Sequence, residues 1–324
     1  MMETLEGAEL CFPHLPNTSC RRLIRPQYED VIIYVVLTSI SLLTVALNLL
    51  VIISISHYRQ LHTPTNLFLL SLAVSDLLVG LVLMPFFMHN CWFLGDLMCA
   101  IYSLLGFIIT SASVGNMVLI SVDRYVAICD PLCYPTKVTL RRVKLSVCLC
   151  WICSVLWSSV LLKDSLIQPR RYISCHGDCE LVVNYIAGAV DLVLTFIGPI
   201  TVIVVLYMRV FVVAVSQARA MRSHIVSVTL QPSGTLTAKK SEMKAARTLG
   251  VVIVVFLICF CPYFYPFFTS TQASYLKIVL WMFYCNSSLN PLIYAFFYPW
   301  FRKSVKLIVT LQILQPGSCG TNIL

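Results

Sequence analysis

Seven long apolar runs, separated by shorter polar stretches, pattern the chain from about residue 31 to residue 298. They cover roughly 31–55, 66–88, 97–122, 145–162, 183–208, 249–270 and 276–298. A helix of ~20 mostly apolar residues crosses the ~30 Å of hydrocarbon in a bilayer. Only helices and closed barrels satisfy every backbone group there. These runs are too long and too continuously apolar for barrel strands, which alternate over ~10 residues. The pattern predicts an all-α membrane protein, a seven-transmembrane helix bundle. Residues 1–30 form a tail before the bundle, 31–298 the bundle and 299–324 the end of the chain. In that last part Trp300, Phe301, Val305, Leu307 and Ile308 interleave with Arg302, Lys303 and Lys306, the pattern of a short interfacial amphipathic helix. The polar stretch 214–241 reads as a long loop. No internal repeat is visible, which counts against inverted-repeat transporters.

Composition narrows the class. Hydrophobic residues make up 59% and charged residues 11% of 324, against ~45–50% and ~25% in soluble chains. That excludes a soluble domain and a disordered chain. Fifteen Cys, many of them inside apolar runs, do not make a secreted disulfide scaffold. The net charge of +9 needs no nucleic acid. With the N-terminus outside, 16 of the 23 Lys and Arg fall on the inner face and 7 on the outer, while nine of the 14 acids fall outside. This is the positive-inside distribution, with added attraction to anionic lipid. The first 30 residues hold acids and prolines but no apolar signal-peptide core, so the first helix is expected to act as its own insertion signal. Asn17-Thr18-Ser19 is a glycosylation triplet in the outer tail. Asn286-Ser287-Ser288 matches the same triplet but lies inside the seventh span, out of reach of a transferase.

Charges at membrane depth are costly and usually functional. Only Asp76 and Asp191 fall within spans, and no Lys, Arg or His lies deep enough to pair with them. The alternative for such an acid is a protonated carboxyl held by hydrogen bonds. No nucleophile–base pairing or metal-ligand spacing marks an enzyme.

The polar positions together form a recognisable set. Asn48 stands in the first span, and the second reads Asn66-Leu-Phe-Leu-Leu-Ser-Leu-Ala-Val-Ser-Asp76. The third ends in Asp123-Arg124-Tyr125, the fourth centres on Trp151, and the fifth carries Pro199 and Tyr207. The sixth holds Phe256-Leu-Ile-Cys259-Phe260-Cys-Pro262 and the seventh Asn290-Pro291-Leu-Ile-Tyr294. In this order the motifs resemble the rhodopsin-like class of G-protein-coupled receptors over about residues 30–310. The run from Asn286 to Lys303, the loop Cys175-His-Gly-Asp-Cys179 and the closing Cys-Gly-Thr-Asn-Ile-Leu resemble trace amine-associated receptors.

The resemblance implies roles. Asp76, Asn48, Ser113, Asn286 and Asn290 correspond to the class's sodium pocket, and carboxylate, hydroxyl and amide oxygens suit a hard cation. The alternative is a hydrogen-bond network with no ion. Asp123, Arg124 and Tyr125, with Glu242, Tyr207 and Tyr294, correspond to the switch that opens a cleft for a heterotrimeric G protein, in this subfamily of stimulatory or olfactory type acting through cAMP. Pro199, Pro262 and Pro291 should kink their helices. Phe260 stands where the class usually has Trp. Cys99 and Cys179 are expected to form a disulfide. The subfamily's tail-to-loop disulfide would join Cys175 to Cys20 or Cys11, with Cys20 the expected partner because it lies nearer the first helix. Cys319 is a palmitoylation candidate or an ordinary free thiol.

The implied ligand is a small amine, but the acid that usually holds it is missing. That position, 18 residues before Arg124, is Gly106. Asp191, eight residues before Pro199, faces the pocket from the opposite wall by resemblance. The expectation is an ammonium held by Asp191, with the rest of the ligand toward Gly106. Phe107, Phe260, Tyr263, Phe264, Trp281 and Tyr284 would supply apolar and cation–π contact, and Ser103, Thr110, Ser111 and Thr195 hydrogen bonds. One pocket acid favours a monoamine over a diamine. The competing expectation is a rhodopsin-like receptor for a non-amine ligand, which Gly106 favours. The implied location is the plasma membrane with the N-terminus outside, in olfactory cilia.

Overall fold

The structure is a computed structural model that describes residues 8–15, 17–23, 26–87, 91–167, 175, 177, 179, 183–227, 250–262 and 273–323. Helices stand at all seven expected places. α1 is Gln27–His57. α2 is Pro64–Leu78, continued by a π-helical turn at Val79–Leu83 and a last turn at Met84–Phe87. α3 is Gly95–Cys129 and α4 is Leu140–Leu161. α5 runs as Tyr185–Asp191, a π-helical turn Leu192–Ile197, then Gly198–Ser227. α6 is described over Gly250–Pro262, and α7 is Ala273–Phe297. α8, Pro299–Val309, is the expected amphipathic helix. It buries Trp300, Phe301 and Ser304 and leaves Arg302 and Lys303 exposed. Arg302 Nη1 donates to the Ala295 and Phe296 carbonyls at 3.0 and 2.9 Å, satisfying orphan acceptors at the end of α7.

Local chemistry sets the other ends. Thr63 and Thr139 cap α2 and α4 through their hydroxyls, and Asn184 caps α5 through its amide oxygen. The loop expected over 214–241 is helical as far as Ser227. Its Ala, Gln, Arg and Met residues form helix well, so polarity there marks a helix leaving the apolar layer rather than a loop.

α3 is the central helix and packs against α2, α4 and α5, while α1 packs against α2, α7 and α8. One apolar core runs the length of the bundle, from Leu83 and Met84 through Leu72, Met117 and Phe256 to Tyr58, Leu61 and Phe301. Leu, Ile and Val side chains on α1, α4 and α5 stay exposed on the outer faces, the surface a bilayer covers. The protein is a multi-pass membrane protein. At the far end the chain returns to the first turn after α1, where Ile323 N–H donates to Gln60 Oε1 at 3.2 Å and Ile323 is buried.

Both π turns immediately precede a proline. Met84 N–H reaches back five residues to the Val79 carbonyl before Pro85, and Gly198 N–H does the same to Val193 before Pro199. A proline has no N–H, and its ring collides with the carbonyl four residues back. Widening the preceding turn relieves that collision. Side chains take carbonyls in the α2 turn: Ser41 Oγ donates to Gly80 at 2.8 Å and Tyr102 Oη to Leu83 at 3.0 Å.

The tail adds a small antiparallel hairpin outside the helical plan: β1 (Ala8–Leu10) pairs with β2 (Arg21–Leu23). Three disulfides hold this end of the molecule. Cys99–Cys179 and Cys20–Cys175 are the expected pairs, and Cys11–Cys91 is a third that sequence reading did not foresee. Trp92 N–H donates to the Gly177 carbonyl at 2.8 Å. Gly177 has φ +106°, and a Cβ there would strike the Cys11 side chain, so glycine is required where the tail crosses the loop. Asn17 is exposed in the hairpin's turn.

Candidate functional site

Three groups of polar residues stand out along the bundle. Nearest the disulfides, Asp191 sits half-buried at the start of the α5 π turn. Its Oδ1 accepts a hydrogen bond from Trp157 Nε1 on α4 at 2.8 Å, and its main-chain carbonyl accepts one from Thr195 Oγ1 at 2.7 Å. No ion pair among the described residues involves Asp191. Trp157 was not foreseen, since nothing in the sequence of α4 sets it apart from a lipid-facing Trp.

On α3, Ser103, Gly106, Phe107, Thr110 and Ser111 are all half-buried. A Cβ added at Gly106 would meet only Leu83 Cδ2, at 3.7 Å, an ordinary contact. Phe260 is buried and stacks with Phe256 at 4.1 Å and with Phe283 of α7 at 4.3 Å, and Phe283 in turn meets Tyr284 edge-on. The aromatic at 260 therefore joins α6 to α7 through ring contact, which needs no indole N–H. Trp281 is half-buried on α7. Tyr263 and Phe264 lie outside the described residues.

The middle group surrounds Asp76, which is 1% exposed. Its two oxygens accept from Ser287 Oγ and Asn290 Nδ2, each at 2.8 Å. Asn48 Nδ2 donates to the Thr44 and Ser287 carbonyls at 2.9 and 3.0 Å. Asn48 therefore joins Asp76 through Ser287, a residue the sequence reading passed over. Ser113 is buried, but the side chains bonded to Asp76 are Ser287 and Asn290. The amide oxygens of Asn48, Asn286 and Asn290 are buried with no hydrogen-bond partner among the described residues. Three such oxygens and a carboxylate suit a hard cation, because each oxygen presents a lone pair and no cationic side chain bonds Asp76 among the described residues.

The third group lies at the opposite end from the disulfides. Arg124 pairs with Asp123, its Nε 2.9 Å from Asp123 Oδ2, and its Nη2 reaches Thr65 Oγ1. Asp123 also accepts from Thr65 Oγ1 at 3.0 Å and from Tyr134 Oη at 2.9 Å. Asp123 and Arg124 are both buried, so the pair is satisfied by these added bonds rather than by water. Thr65 and Tyr134 were missed, since a Thr after a proline and a Tyr in a short loop carry no mark of their role. Tyr125 is half-buried and packs beside Ile128 and Val210, while the Tyr207 and Tyr294 hydroxyls are buried nearby without partners among the described residues. Glu242 lies outside the described residues. On the surface below, Lys137 Nζ bonds Asp130 at 2.7 Å and holds that carboxyl below its ordinary range.

This arrangement has counterparts among known proteins. Residues 47–294 match the family described as 7 transmembrane receptor (rhodopsin family). Trace amine-associated receptor 13c of Danio rerio is 38% identical, over 98% of this chain and 97% of its own. Trace amine-associated receptor 6 of Pan troglodytes is 37% identical over 98% and 96%, and trace amine-associated receptor 4 of Mus musculus 35% over 97% and 95%. The chain belongs to the trace amine-associated receptors of the rhodopsin family. It is a receptor and not an enzyme, and the family brings with it a small-molecule ligand and a G-protein partner.

Proposed function

We propose that this receptor senses small, volatile or trace amines and holds the ligand's ammonium on Asp191. The observation that carries this reading is a half-buried carboxylate with no ion pair among the described residues, in a family whose relatives are named for trace amines. The space at Gly106 takes the rest of the ligand, against Phe107, Phe260 and Tyr284. The disulfide-bonded end faces outside, where disulfides persist and Asn17 is open to glycosylation. The opposite end, with Arg124 and its partners, faces a stimulatory or olfactory G protein and raises cAMP. A sodium ion at Asp76 favours the resting state. The setting is the plasma membrane of olfactory sensory cilia.

The test is an amine panel on cells expressing wild type, Asp191→Asn and Asp191→Glu, read by cAMP and by recruitment of each G-protein class. Asp191→Asn should abolish the amine response at normal surface expression, and an undiminished response overturns the anchor. Gly106 favours one second reading, a receptor for a non-amine ligand. Silence to every amine with a response to neutral analogues establishes that instead.

A further inference from the structure

We infer that Trp157 is the positioning residue for the ammonium site, and that its single N–H sets how the receptor ranks amines by their number of N–H donors. The inference rests on Asp191 being the anchor. A carboxylate on a helix can turn about its side-chain torsions, and each orientation lost on binding weakens the complex. The Trp157 Nε1–H···Oδ1 bond at 2.8 Å stops that rotation before any ligand arrives. The donor is neutral and indole accepts nothing, so the bond orients the carboxylate without neutralising it. An Arg or Lys in the same place would consume the charge the ligand needs.

The bond also makes the two oxygens unequal. Oδ1 has given one of its acceptor sites to α4, while Oδ2 accepts no hydrogen bond among the described residues. A tertiary ammonium has one N–H, which Oδ2 alone satisfies. A primary ammonium has three and draws on both oxygens, so the acceptor site that Trp157 holds on Oδ1 costs it more than it costs a tertiary ammonium. Removing the indole N–H frees Oδ1, so it should weaken binding generally while improving primary amines relative to their N,N-dimethyl counterparts. Loss of packing alone would not produce that change in ranking.

The experiment compares wild type, Trp157→Phe, Asp191→Asn and the double variant. A fifth form carries benzothienylalanine at 157, which replaces the indole N–H by sulfur and keeps the shape. The probes are benzylamine and N,N-dimethylbenzylamine, followed by other matched pairs, read by cell response, surface expression and thermal shift of the purified receptor. The expected result is a loss of about tenfold in potency for the N,N-dimethyl probe in both Trp157 forms. The primary probe should lose less, and the double variant should be no worse than Asp191→Asn. If benzothienylalanine behaves as wild type while Asp191→Asn is silent, the anchor stands and the positioning role falls. If Asp191→Asn responds normally, or if no pair acts on the wild type, the anchor falls and takes this inference with it.

Discussion

Cys11 and Cys20 lie side by side in the tail hairpin, Cys11 N–H donating to the Cys20 carbonyl at 2.9 Å, yet each is bonded to a different loop. Cys11 reaches Cys91, just before α3, and Cys20 reaches Cys175, four residues from the Cys179 that is tied to Cys99. The hairpin thus adds covalent links between two loops already joined by the Trp92–Gly177 hydrogen bond and held to α3 by Cys99–Cys179.

Cys11→Ser and Cys20→Ser should each lower the melting temperature, and the double variant should lower it further. Chain entropy puts a ceiling of about 4–5 kcal/mol on closing loops of this length. The measured loss should be smaller, because a membrane-inserted unfolded state keeps its helices. Thermal unfolding of the purified receptor, with thiol labelling to count freed cysteines, checks this. Unchanged melting in Cys11→Ser would mean that the β1–β2 contacts hold the tail without covalent help.

Ser287 links Asp76 to Asn48, its Oγ donating to Asp76 Oδ1 and its main-chain carbonyl accepting from Asn48 Nδ2. Ser287→Ala leaves Asp76 Oδ1 without that donor and should weaken any effect of sodium on agonist potency, and Asp76→Asn should remove it. Concentration–response curves in sodium chloride and in choline chloride provide the comparison. Equal sodium dependence in wild type and Asp76→Asn would leave Asp76 as part of a hydrogen-bond network with no ion.

Tyr134→Phe and Thr65→Val each remove one hydrogen bond from Asp123. A bond to a charged group is worth about 1.5–3 kcal/mol. Where most of it is retained after the bundle opens, a residual of about 1 kcal/mol still shifts the resting equilibrium roughly fivefold. Both variants should therefore raise ligand-free G-protein activation. Asp130→Asn is the control, since Lys137–Asp130 is an exposed pair and such pairs contribute little. If Asp130→Asn raises basal activity as much as Tyr134→Phe, the Asp123 cluster is not what restrains the receptor.

Gly106→Ala and Gly106→Asp should both reach the cell surface in normal amounts, because a Cβ there meets only Leu83. The Asp variant places a second carboxylate on α3 and should extend the response from monoamines to diamines. A surface-expressed Gly106→Asp receptor with an unchanged amine profile would argue that residues 106 and 191 do not face one cavity.

The sequence carried the helices and the polar residues that recur in the family, because both depend on local pattern. Asp76 and Asn290 were legible, and Ser287, three residues before Asn290, shares its helix face and could have been read from that spacing. Trp157, Thr65 and Tyr134 were not legible. Each acts on a residue of another element, 34, 58 and 11 positions away respectively. Pro199 predicts a disturbed helix and Pro85 was passed over in the sequence, and whether a helix kinks or widens depends on the neighbours that take its freed carbonyls. Cys91 was hidden by having several oxidisable candidates and no geometry to choose among them.

A tight contact between α3 and α4 yields a prediction independent of any ligand. A Cβ at Gly115 of α3 would run into Cys150 Sγ of α4, while Cys150 Cβ stands 4.0 Å away, in ordinary contact. Gly115→Ala should therefore destabilise the receptor by about 1–3 kcal/mol, the usual cost of overpacking. Cys150→Ala removes the sulfur and nothing else near that point. The double variant Gly115→Ala/Cys150→Ala should recover most of the loss, with a coupling that a double-mutant cycle on melting temperature reads directly. Additive losses in the double variant would show that α3 and α4 separate to admit the methyl group. The polar contact beside that crossing, Trp151 Nε1 to Ser71 Oγ at 3.0 Å, would then be expected to break as well.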